Sequence, residues 1–217
     1  IMNNVILPRI LSSTGTFIGR ANGRDYRLIP RIAEDTVCDG FELMLLEDWS
    51  ERLPVVCDFL LASGFLPETV HLEKNIGVLL SAGTKKCAEE ALEIYRRDME
   101  AAARLGARLA VLHFWGGRLS DYHIDKNLPL IPLFYDIAAQ YGILLTIENI
   151  PCVYGTPLFM WNRIAAYYPE AKFIFDTRFG GFHNEYKKIF ASPHWKNVCH
   201  MHISDFGGEM IHPILHP

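Results

Sequence analysis

The chain has 217 residues, half of them hydrophobic and 21% charged, an ordinary balance for a globular protein with one large core. A formal net charge of −4 and the lack of a dense Lys/Arg block exclude a field that would attract nucleic acid. Five cysteines scattered singly argue for a reducing compartment, no apolar run reaches the ~18 residues a membrane span needs, and no signal peptide is visible, so the expected location is the cytoplasm.

In chain order, strand-like apolar runs alternate with helical patterns, the signature of a parallel sheet with crossover helices. The first strand is predicted over 5–11, followed by a helix over 26–33. A second strand over 40–45 leads to a helix over 51–63, with Ser50 in a capping position and Gly64 as its stop. A short third strand over 69–72 precedes a helix over 84–105, where Glu93 and Arg97 are spaced for a surface pair and Gly106 ends the pattern.

From there one pattern repeats: an apolar run that ends in a metal-ligand residue type. Residues 108–112 run into His113, 142–147 into Glu148, 172–175 into Asp176 and 197–201 into His202. Helices are predicted between them over 128–141, 157–168 and 185–190, with Gly142 as another stop. The ligand positions are 35, 28 and 26 residues apart (148−113, 176−148, 202−176), about one βα unit each. Strand alternation puts Thr146 on the face of Glu148, Ile174 on that of Asp176, and Val198 and His200 on that of His202. Polar groups at the carboxyl ends of successive parallel strands converge on the mouth of a barrel.

The expected fold is therefore a (β/α)8 TIM barrel forming a single domain over 1–217. Seven strands are visible where eight are needed. With the opening Ile1-Met2 and the loop-like His212-Pro213-Ile214-Leu215-His216-Pro217, the expectation is a chain cut short, its eighth strand and helix missing.

Three segments carry a resemblance: Ile147-Glu148-Asn149-Ile150-Pro151, Phe175-Asp176-Thr177 and His200-Met201-His202-Ile203-Ser204-Asp205. Together they resemble the xylose isomerase-like barrels, which include sugar isomerases, sugar epimerases and endonuclease IV-type enzymes. The resemblance implies that Glu148, Asp176 and His202 bind one divalent metal ion, with a fourth ligand from a strand-eight glutamate that has no counterpart here. Residues 213–217 resemble the loop leading to it. His71 and His113 occupy positions where the endonuclease-type members add ligands; the reading taken here is that they line the substrate pocket or hydrogen-bond in the barrel. The family's histidine three residues after the strand-six aspartate is replaced by Phe179, and His183, seven residues after Asp176 with Gly180-Gly181 between, is the substrate-binding candidate to enter the same space.

Oxygen and imidazole donors suit Mn²⁺, Mg²⁺, Co²⁺ or Zn²⁺, and the lack of thiolate ligands argues against a closed structural zinc site. A metal-binding histidine needs a partner for its other ring nitrogen, for which Asp205 and Ser204 are the neighbours of His202. Glu42, at the end of strand two, is a candidate acceptor for a substrate hydroxyl or a buried satisfied carboxylate. Trp115 covers a sugar face or packs its loop. His123, Tyr154 and Arg178 are further loop candidates, His194 is read as surface, and His212 and His216 lie in the last loop.

The expected activity is metal-dependent isomerisation or epimerisation of a small sugar or polyol by proton abstraction next to a carbonyl, with Glu148 or the missing strand-eight glutamate as base and no nucleic-acid or membrane partner. Self-association into a homo-oligomer is compatible with this. The alternatives are a metal-dependent polyol dehydratase or lyase, an abasic-site endonuclease, against which the net charge and Phe179 count, and a non-catalytic sugar-binding barrel.

Overall fold

The computed structural model of the protein describes residues 8–204. Seven parallel strands form one sheet in sequence order: β1 (Leu11–Ser13), β2 (Gly40–Met44), β3 (Thr69–His71), β4 (Leu109–Leu112), β5 (Leu144–Glu148), β6 (Phe173–Asp176) and β7 (Val198–His202). Glu42 on β2 lies 3.1 Å from His202 on β7, so the sheet curls until distant strands face each other across its interior. This is the TIM-barrel arrangement with seven strands among the described residues.

The helices are α1 (Ile29–Glu34), α2 (Leu53–Ala62), α3 (Asn75–Ser81), α4 (Lys85–Arg104), α5 (Ile124–Asn127), α6 (Ile131–Gln140), α7 (Pro157–Tyr167), α8 (Thr177–Phe182) and α9 (Tyr186–Phe190). No helix of the described residues is long and apolar enough to cross a membrane. Helix starts and stops follow local chemistry. The hydroxyls of Thr84 and Thr156 accept the N–H of Cys87 and Phe159, and Gly64, Gly106 and Gly142 take φ of 74, 77 and 67° just past their helices.

Alternation divides the sheet into two layers. Leu43, Val70, Leu112, Ile147, Phe173 and Phe175 point outward into the core beneath the helices. Thr69, Val111, Thr146 and Ile174 point inward and are buried, forming a floor of small and branched groups below the polar strand ends. The outward residues of β7, Cys199 and Met201, are exposed; no helix follows β7 among the described residues.

Several elements differ from the sequence expectation. Pairing of the first strand starts at Leu11, where β2 supplies Gly40 as its partner; 5–7 lie outside the described residues. Ser50 does not cap α2: it sits in a 3₁₀ turn (Glu47–Arg52), and its hydroxyl donates to Glu73 Oε2 at 3.1 Å. Arg97 turns from Glu93 to the buried carboxylates of Glu73 and Asp98, at 2.7 and 3.0 Å. On β7 a register shift pairs Val198 with Phe173 and His200 with Ile174, so Cys199 is an extra residue. This bulge moves Val198 out to the core, while His200 and His202 remain inside.

Candidate functional site

The site forms where β5, β6 and β7 end. Glu148 is the last residue of β5 and Asp176 the last of β6, and the bulge in β7 brings His202 into register with Asp176. Asn149 ties two of these ends together. Its side-chain oxygen accepts the Asp176 N–H at 2.5 Å and its amide donates to the Asp176 carbonyl at 3.1 Å. That pair of hydrogen bonds between side chain and backbone explains the Glu148-Asn149 step of the sequence: the glutamate supplies the carboxylate, and the asparagine fixes the neighbouring strand. Asp176 Oδ1 also accepts the N–H of Phe179, capping α8.

Glu148 is 1% exposed and both its oxygens face imidazoles. Oε1 lies 2.6 Å from His202 Nδ1; Oε2 lies 2.6 Å from His113 Nε2 and 3.4 Å from His71 Nε2. Asp176 completes a set with Glu148 and His202 in which one donor atom from each lies within 4.8 Å of the others. His71, His113 and Glu148 form a second such set, and Glu42, His200 and His202 a third. Two carboxylates and an imidazole converging in this way fit a divalent cation that takes mixed oxygen and nitrogen ligands.

The electrostatics follow from the packing. Burial alone would push Glu148 up, but His202 and His113 outweigh it and hold the carboxyl well below the usual carboxylate range. Burial pushes His113 down to about 4, against the pull of Glu148, so its imidazole is neutral at pH 7. For His202 burial is outweighed by Glu148 and Glu42, which raise it to about 11. Asp176 is raised by burial and then by the negative charge of Glu148. A cation at this point would relieve that repulsion.

The sequence-derived residues divide into two groups. Glu148, Asp176, His202, His71, His113 and Glu42 come together around one interior. Trp115 and His183 instead hold the loops around it. The Trp115 ring is fully buried, and its indole N–H donates to the Pro151 carbonyl at 3.1 Å. His183 Nε2 accepts the N–H of Cys152 at 3.1 Å. His123, His183 and His194 belong to none of the three candidate clusters of the described residues. Ser204 is engaged with Thr177 rather than His202; Asp205, His212 and His216 lie outside the described residues.

Asn149, the clamp above, entered the sequence reading only as part of a motif, and two further supporting positions were not singled out. Asp121 accepts the backbone N–H groups of Val153, Tyr154 and Gly155 at 2.8, 3.1 and 2.7 Å, fastening the loop after β5 to the loop after β4. Gly77 lets α3 lie directly against the loop that carries His113, since a Cβ there would sit 2.7 Å from the His113 carbonyl oxygen and 2.4 Å from that of Trp115.

No protein-family model and no curated protein sequence matches the chain. Solved structures do. A 3-keto-D-glucoside 4-epimerase from E. coli superposes with a TM-score of 0.66 at 15% identity, over 92% of this chain and 80% of that one. A D-allulose 3-epimerase from Methylomonas sp., solved with D-allulose, gives 0.66 at 16% identity over 91% and 73%. A sugar phosphate isomerase/epimerase from Parabacteroides distasonis gives 0.61 at 12% identity over 98% and 82%. The chain thus has the TIM-barrel fold that these epimerase and isomerase structures share.

Proposed function

We propose that the chain is a divalent-metal-dependent isomerase or epimerase of a small sugar or polyol, acting by proton abstraction next to a carbonyl. The observation that carries this reading is the convergence of Glu148, Asp176 and His202 within 4.8 Å at the mouth of the barrel. The fold it shares with epimerases of D-allulose and 3-keto-D-glucoside supports the substrate class.

Glu148, Asp176 and His202 would hold the ion, which when bound supplies Lewis-acid stabilisation of the negative charge that develops as the proton leaves. Glu148 is the residue assigned to take that proton. Its carboxylate is anionic at neutral pH and shielded from bulk water. The His113 imidazole, 2.6 Å from Oε2, orients that oxygen and leaves the carboxylate little rotational freedom. Asn149 keeps Asp176 at a fixed depth beside it. Such a rigid pair of carboxylates, with the neutral His113 imidazole to pass a proton on, suits removal and return of one proton on a bound sugar.

The test is solvent exchange. Protein loaded with Mn²⁺ and offered a panel of ketoses and polyols in deuterated water should incorporate deuterium at the carbon next to the carbonyl. Glu148→Gln should slow this about 10²–10⁴-fold, because an amide is no base near neutral pH. Turnover without deuterium would replace the base mechanism by a hydride shift, with Glu148 as ligand only. Cleavage of abasic DNA without exchange would point to the nuclease class instead.

A further inference from the structure

Resting on that reading of the metal ligands, we infer that Glu42 is a positioning residue: it orients the His202 ring so that Nδ1, and not Nε2, is presented to Glu148 and Asp176.

Glu42 stands on β2, reaches across the barrel interior to β7, and is 3% exposed. A carboxylate at that depth needs donors, and three converge on one of its oxygens. Oε2 accepts the Thr69 hydroxyl at 3.2 Å and lies 3.1 Å from His202 Nε2 and 3.6 Å from His200 Nε2. Thr69 is the register partner of Glu42 on β3, so the carboxylate is anchored to its own wall before it reaches across. An ionised carboxylate only accepts hydrogen bonds. The His202 nitrogen facing it must therefore carry hydrogen, and that nitrogen is Nε2. The other nitrogen, Nδ1, lies 2.6 Å from Glu148 Oε1, and Glu148 is the residue that forms a set with His202 and Asp176. The His71 ring, stacked at 5.9 Å and 16° from that of His202, limits its tilt. The arrangement is a carboxylate–histidine pair of the kind that fixes a ligand's tautomer and raises its basicity.

Two other roles for Glu42 make opposite demands. As a metal ligand together with His200 and His202, it would need the His202 Nε2 lone pair, so Nε2 could carry no hydrogen. As an acceptor for a substrate hydroxyl, it would leave the His202 tautomer and the metal affinity indifferent to its charge.

Zinc, being diamagnetic, allows the test by nitrogen-15 NMR of histidine-labelled protein combined with calorimetric Zn²⁺ titration. The expected spectrum of the zinc-loaded protein shows His202 protonated at Nε2 and metal-bound at Nδ1. The expected titration shows Glu42→Gln binding Zn²⁺ about 10–100-fold more weakly than the parent, with an unchanged circular dichroism spectrum. His202 bound through Nε2, or equal affinity in Glu42→Gln, would overturn the inference while leaving the metal site standing. Failure of the parent protein to bind Zn²⁺, Mn²⁺ or Co²⁺ at all would remove the metal reading and this inference with it. If Glu42→Gln does not fold, the spectrum of the parent decides alone.

Discussion

Two clusters of buried charge diverge from the end of β3, and they are neutralised in different ways. Inward, His71 joins His113, His202 and Glu148 beside Asp176. Outward, two residues further on, Glu73 joins Ser50, Arg97 and Asp98. Arg97 Nη2 donates to Glu73 Oε2 at 2.7 Å and to Asp98 Oδ1 at 3.0 Å, and Asp98 Oδ2 accepts the Glu73 N–H at 2.9 Å. Asp98 is fully buried and Glu73 nearly so. The outer cluster has a resident cation: a guanidinium stays protonated at any working pH, and its donors satisfy the carboxylates permanently. The inner cluster relies on imidazoles, whose protons a divalent cation can displace. The same residue types thus produce a structural tie in one place and an exchangeable site in the other.

The largest separation between the two should appear on removal of a carboxylate. Asp98→Ala leaves the buried Glu73 N–H without its acceptor and takes one of two carboxylates from Arg97, whose side chain is 31% exposed, so we expect a loss of about 3–5 kcal/mol in urea unfolding, with metal stoichiometry unchanged. A loss below about 1 kcal/mol would break the comparison, since the outer cluster would then not be a structural tie. A smaller effect should appear in the pH dependence. Burial, opposed by the Glu73 N–H and Arg97, raises Asp98 from 3.8 to about 6. Between those values the folded chain binds the proton that the unfolded chain has already lost, so this group's contribution falls as pH rises through the window and is constant above it. Wild type should lose roughly 2–3 kcal/mol relative to Asp98→Asn between pH 4 and pH 6. Parallel stability curves for the two proteins would contradict that.

Much of the site was legible because each ligand follows an apolar run of strand length, and three runs at βα spacing leave little freedom in where their ends meet. The bulge at Cys199 was not legible, and strict alternation placed Val198 inside when it packs outside. Helices α3 and α8 were not predicted from the sequence; close backbone packing at Gly77 and the Asp176 cap on Phe179 stabilise helix there. The partner of the His202 ring was sought among its sequence neighbours. It is Glu42, 160 residues away, brought into contact only by closure of the sheet. Likewise, the Glu93–Arg97 spacing fits a helix-surface pair, but two buried carboxylates outcompete an exposed one for the guanidinium.

The most direct test of the central claim is calorimetric titration of the protein and its Asp176→Asn variant with Mn²⁺, with circular dichroism melting as the fold control. Asparagine keeps the shape of the side chain but removes the negative charge that binds a hard cation. The parent should bind one ion per chain, and Asp176→Asn should bind it at least about tenfold more weakly, with the fold of the metal-free variant intact. Equal affinity in the two proteins, or no divalent ion bound by the parent, would contradict it.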